Sequence, residues 1–94
     1  MTVALGDTVH LRCSTLQEVP VDWTYNGEPF YVNGEIDVSL RSRYSIDKSN
    51  DGQYTAYMLV IVNFIAADAG EYKCIDNAGS GPDRFIYIVG GNAK

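Results

Sequence analysis

At 94 residues, 46% hydrophobic and 20% charged, the chain has the size and balance of one folded domain without biased tracts. Twelve acidic against seven basic side chains leave a net charge of −5. That charge repels phosphate backbones and anionic headgroups, so nucleic acid and membrane surfaces are poor partners. No apolar run reaches the ~18–20 residues that span a bilayer, and the longest, residues 58–62, is strand-sized. A domain this short hides only roughly 60–65% of its unfolded surface, so its core is lean. The N-terminus lacks a basic segment followed by an apolar stretch, so no secretory leader is expected. A cytosolic protein and a domain excised from a longer chain both fit, and the compartment stays open.

From Thr2 onward the pattern has period two. In residues 8–14, Val9, Leu11 and Cys13 alternate with Thr8, His10, Arg12 and Ser14, the mark of a half-buried strand. Val21, Trp23 and Tyr25 form the inward set of the next strand, closed by Asn26-Gly27, a tight-hairpin turn. Phe30 and Val32 belong to a short third strand ended by Asn33-Gly34. Residues 35–42 read either as an extra edge strand or as a loop. Tyr44 and Ile46 alternate with Ser45 and Asp47 before the turn-rich run 48–52. A long strand follows over about residues 53–63, then a short helical turn at 66–70 and a strand at 71–76. Residues 77–82 are a loop on composition, 85–89 the last strand, and 91–94 a flexible tail after a single domain over 1–90. Short strands with frequent turn signals indicate an all-β antiparallel sandwich.

Two cysteines and one histidine cannot supply the four ligands of a structural zinc site. Cys13 and Cys74 are also too far apart for a redox Cys-x-x-Cys motif. If bonded, they would close a loop worth about 4 kcal/mol on the chain-entropy model. The alternative is a pair of buried free thiols.

The residues around them carry a resemblance. Cys13, Trp23 ten residues later, and Cys74 within Asp68-Ala69-Gly70-Glu71-Tyr72-Lys73-Cys74 resemble the immunoglobulin superfamily. Leu59-x-Ile61-x-x-Phe64 precedes that motif at the family's spacing, and the likeness runs to about Val89. The resemblance implies a two-sheet Greek-key sandwich with a Cys13–Cys74 bridge between the sheets and Trp23, Leu59 and Ile61 packed in the core. Tyr72 would be the tyrosine-corner residue, Gly70 would take a backbone conformation awkward for other residues, and Arg43 would pair with Asp68. Twenty residues from Trp23 to Arg43 are long for an intermediate (I-type) domain and short for a full variable domain. The last strand lacks the Phe-Gly-x-Gly of antigen-receptor variable domains. The run 76–81 is similar to the turn between the last two I-type strands. The expectation is an I-type domain with variable-like features and an expanded region before Arg43.

Several motifs invite chemistry and do not support it. Asp47-Lys48-Ser49-Asn50-Asp51-Gly52 matches half of a calcium loop, but Met58 stands where the bidentate glutamate belongs. Gly79-Ser80-Gly81 is too short to cradle phosphate. His10 lies on the outward face of its strand beside Arg12, and no carboxylate pair forms a catalytic frame. No enzyme activity, cofactor or metal is expected.

The outward residues carry more information. With Tyr72 and Cys74 inward, Lys73 and Ile75 face out. In the last strand either Ile86 and Ile88 or Phe85 and Tyr87 face out with them. This face, G–F–C–C′ in the family's lettering, would combine those residues with Thr24 and Tyr31. An apolar patch rimmed by polar groups is a candidate interface, although strand propensity alone also enriches such residues. A lesser outward stripe is Met58, Val60 and Val62. The expected function is protein recognition by a cell-surface receptor or adhesion domain, heterophilic or homophilic, a weak homodimer included. The alternative is a structural I-type domain of an intracellular cytoskeletal or muscle protein, its cysteines reduced.

Overall fold

The computed structural model describes residues 1–16, 20–76 and 84–92, without the side chains of Asp51, Asp76, Arg84, Phe85 and Asn92. Ten strands occur among them: β1 (Thr2–Ala4), β2 (Val9–Leu11), β3 (Ser14–Leu16), β4 (Val21–Tyr25), β5 (Glu28–Val32), β6 (Glu35–Ile36), β7 (Tyr44–Asp51), β8 (Tyr54–Ile61), β9 (Gly70–Asp76) and β10 (Arg84–Asn92). One sheet has the order β1-β10-β9-β4-β5-β6; the other is built around β8, flanked by β2 and β3 on one side and β7 on the other. Both are antiparallel except where β1 runs parallel to β10. No helix among the described residues is long and apolar enough to cross a membrane.

Alternation explains the layers. Val9, Leu11, Cys13 and Thr15 are buried while His10, Arg12 and Leu16 are exposed. β2 and β3 share one register along β8, Leu11 opposite Leu59 and Ser14 opposite Ala56. Between them the Tyr57 amide donates to the Cys13 carbonyl at 2.6 Å. Facing them from the other sheet are Val21, Trp23, Tyr72, Cys74 and Val89. The Cys13–Cys74 disulfide joins the two layers, with 6.4 Å between the Cα atoms. Trp23, paired in register with Cys74, is fully buried beside it. Removing such an indole strips the largest apolar surface from a lean core.

Turn chemistry sets the hairpins. Asn26 (φ 49°) and Gly27 (φ 88°) both take the positive φ that a tight two-residue hairpin requires. The run 48–52, expected as a turn, is strand as far as Asp51, and only Gly52 and Gln53 turn the chain. The ladder to β8 claims those polar residues, and a glycine at φ 63° lets the turn tighten. Residues 35–42 prove to be both readings at once: the two-residue edge strand β6, then a 3-10 turn over Val38–Leu40.

The chain end departs from expectation too. Gly91 and Asn92 are not a tail: β10 continues through Asn92, and Gly90, Gly91 and Asn92 pair with Thr2, Val3 and Ala4. Glycines lack outward packing but can still enter a ladder, and β1 provides one. The loop at 77–82, with Gly79-Ser80-Gly81, and residues 93–94 lie outside the described residues.

Candidate functional site

Two assemblies of side chains emerge, one paired largely within itself and one displayed to solvent. The first closes one end of the sandwich around Asp68, which ends the 3-10 turn Ala66–Asp68. Arg43 grips its carboxylate with both terminal nitrogens, at 2.6 and 2.9 Å. The Tyr44 hydroxyl donates to Oδ1 at 2.8 Å, and the Ile65 amide donates to Oδ2 at 3.0 Å. Four donors therefore meet one carboxylate. Burial opposes its charge, but the bonds from Arg43, Ile65 and Tyr44 outweigh burial and hold Asp68 below the usual carboxylate range.

Tyr72 completes this end. Its hydroxyl donates to the Asp68 carbonyl at 2.6 Å, the tyrosine-corner bond, and lies 2.8 Å from the Tyr44 hydroxyl. Burial pushes the Tyr72 phenol up to about 12 and the Tyr44 phenol still further. Both stay protonated at neutral pH. The sequence places Tyr44 only in an alternating strand; the signal that finds its role is that a buried phenol needs a hydrogen-bond partner. Gly70 follows at φ 153°, where an added Cβ would lie 2.7 Å from the Tyr25 ring. Tyr25 itself donates to the Ala67 and Ala69 carbonyls. Every group here is paired within the fold, which makes this end architectural.

The second assembly is the outward face of β10, β9, β4 and β5. The register sets Ile86 and Ile88 beside Lys73 and Glu71, and Ile75 beside Asp22. Ile86 is 55% exposed and Ile88 60%; Glu71, Lys73 and Ile75 are half-buried. Ile75 lies diagonally across from Ile86, so the three aliphatic side chains form one patch with Lys73 and Glu71 among them. Burial lifts Asp22 above the usual carboxylate range.

Tyr87, Tyr31 and Thr24, considered for this face, do not belong to the patch. Tyr87 points inward: its ring stacks with Trp23 at 6.3 Å, and its hydroxyl donates to the Arg12 carbonyl. Phe85 shares its alternation and pairs in register with Cys74, although its side chain lies outside the described residues. Ile86 and Ile88 are thus the outward pair of the two alternatives. Tyr31 is 7% exposed and part of the core. The cause is a bulge: Trp23 pairs with Tyr31, but Thr24 pairs with Pro29, so Phe30 is the extra residue. Successive residues at a bulge are re-aimed together, and Phe30 and Tyr31 are both buried. Thr24 lies between Lys73 and Pro29 but is buried rather than displayed.

No family model matches the chain. Solved structures do match, and they are immunoglobulin domains. The chain superposes on a chain of the ZIG-8 IG1 homodimer with a TM-score of 0.78 and 17% identity, covering 99% of this chain and 78% of that one. Against a chain of the Dpr2 Ig1-Ig2 complex with DIP-Theta Ig1-Ig3 the TM-score is 0.76 at 18% identity. There it covers all of this chain but 46% of the other, so it spans less than half of that protein chain. A chain of the Titin M10–Obscurin like 1 Ig complex gives 0.70 at 21% identity, over 99% and 85%. The protein is an all-β sandwich of the immunoglobulin fold. Neighbours of that fold include a domain of the mouse polymeric immunoglobulin receptor as well as titin and obscurin-like domains.

Proposed function

We propose that this domain is a non-catalytic protein-recognition module of a cell-surface receptor or adhesion molecule, binding a protein partner through the outward face of β10, β9 and β4. The observation that carries the reading is the exposure of Ile86 and Ile88 beside Ile75 on a sheet that a solvated monomer would face with polar groups. Aliphatic anchors with Lys73, Glu71 and Asp22 around them fit the pattern of a small apolar centre with a polar rim. The partner is another immunoglobulin-type domain or a second copy of this one, in keeping with the complex and homodimer named for two of its structural neighbours. An extracellular setting accords with the Cys13–Cys74 bridge.

The test places aspartate on the patch. Ile75→Asp and Ile86→Asp should abolish partner capture, and any self-association in sedimentation equilibrium, while the melting temperature stays within a few degrees. Unchanged affinity in both variants would remove this face as the site. A second reading rests on the likeness to the titin–obscurin complex: a structural domain inside the cell. Intact mass separates the two readings. Protein isolated under the redox conditions of its own compartment should lack two hydrogens if it works outside, and carry both thiols if it works inside.

A further inference from the structure

We infer that the lateral groove between β6 and β7 takes an extended, acid-flanked aliphatic segment of another chain as an added strand on β7. The groove is separate from the outward face of β10, so the inference stands whether or not that face binds a partner.

Each sheet stops here on an uncovered strand. Among the described residues β7 pairs only with β8, over all eight of its residues, and β6 pairs only with β5. Alternate backbone amides and carbonyls of β7 therefore face the gap without a strand partner. Eight residues present roughly 26 Å of such edge at ~3.3 Å per residue. Strand addition draws its affinity from backbone groups of this kind and its specificity from pockets for alternate side chains.

The gap is a groove of about 510 Å³, lined chiefly by Tyr31, Ile36, Arg41, Tyr44, Ile46 and Lys48. Tyr31 and Ile36 are a cross-strand pair on the roof, and Tyr44 and Ile46 alternate along the floor. Ile36 and Ile46 are half-buried, so the floor and roof offer aliphatic surface to every second side chain of an added strand. The Phe30 bulge builds this roof by turning Tyr31 inward.

Charge selects the occupant. Although the chain carries a net −5, the groove is lined by two basic residues and no carboxylate among the described residues. Arg41 and Lys48 are both exposed, and neither has an ion-pair partner among the described residues. Arg41 uses Nε to donate to the Ile36 carbonyl at 3.2 Å, and the Lys48 ammonium sits 5.6 Å from the centre of the Tyr57 ring. Asp47 belongs to the opposite alternation, paired with Met58 on the outer face of the second sheet. A strand with carboxylates at its ends and β-branched aliphatics between them meets both the charges and the apolar walls.

The probe is a capped five-residue peptide Asp-Thr-Val-Thr-Asp, whose aspartates and valine share one strand face, titrated into the intact domain by amide-resolved NMR. Saturable shifts confined to β6, β7 and the 3-10 turn between them are expected. A peptide N-methylated at alternate residues should lose binding, and so should one with lysine at both ends. The double variant Arg41→Glu, Lys48→Glu should bind the aspartate peptide at least tenfold more weakly and gain binding of the lysine peptide. Ile86→Asp should bind the aspartate peptide normally. Equal binding of both peptides, shifts centred on β10, or no saturation up to the solubility limit would each overturn the proposal.

Discussion

The Asp68 end of the sandwich and the outward face of β10 are built on opposite rules. Around Asp68, a charged group is buried and every lone pair it offers meets a donor: Arg43 twice, Tyr44 and the Ile65 amide. On β10, two large aliphatic side chains stand more than half exposed to water. The first arrangement is costly to disturb because half-buried Arg43 and the Ile65 amide would lose their acceptor and buried Tyr44 would keep only Tyr72. The second contributes almost nothing to folding in the isolated domain. A residue's burial and partnering, rather than its hydrophobicity, thus separates what holds the domain together from what it presents.

Substitutions can break or sharpen this division. The largest effect is expected from Trp23→Ala, which should cost about 3–5 kcal/mol of unfolding free energy, read by urea denaturation. Next comes Asp68→Ala at about 2–4 kcal/mol, because Arg43, Tyr44 and the Ile65 amide lose their shared acceptor. Gly70→Ala should cost about 2–3 kcal/mol, since the residue sits at positive φ and its new Cβ meets the Tyr25 ring. By contrast Ile86→Asp and Ile88→Asp should each cost only about 1 kcal/mol, the span of strand propensity. If an isoleucine change on β10 destabilised as much as Gly70→Ala, the division would fail.

Solution pH probes the same network at both limits. Asp68 is held below the unfolded carboxylate value of ~3.9, so its contribution is complete above that pH. It is lost as pH falls through the lowered native value. Tyr72 is raised from ~10 to about 12, so its contribution is complete below pH ~10 and lost as pH climbs through the native value. Denaturation midpoints across pH should fall at both extremes, and Asp68→Ala should flatten the acid limb.

Much of this organisation could be read from residue order. Alternation around Cys13, Trp23, Leu59 and Cys74 located the layers because a half-buried strand can hide only every second side chain. The Arg43–Asp68 contact and the Tyr72 hydrogen bond followed from a resemblance; the structure shows both geometries directly. Tyr31 was misread because a bulge adds one residue without changing the local hydrophobic pattern, and only the pairing of Thr24 with Pro29 exposes the shift. The last strand is apolar on both faces, so periodicity could not choose between Ile86 and Tyr87; contact with Trp23 chose. Gly91 and Asn92 looked like a tail because a parallel partner far away in sequence leaves no local trace.

That single additional residue in β5 also decides where a visitor could land. By committing two consecutive aromatic rings to the interior, it strips the β5 side of the large side chain that an unbroken alternation would have displayed, leaving Pro29 and Val32. The aliphatic ground on this surface consequently lies off-centre, toward the margin where β1 joins β10. A partner seated on Ile86 and Ile88 would lean across that margin and touch the first strand of the chain before it reached the fifth.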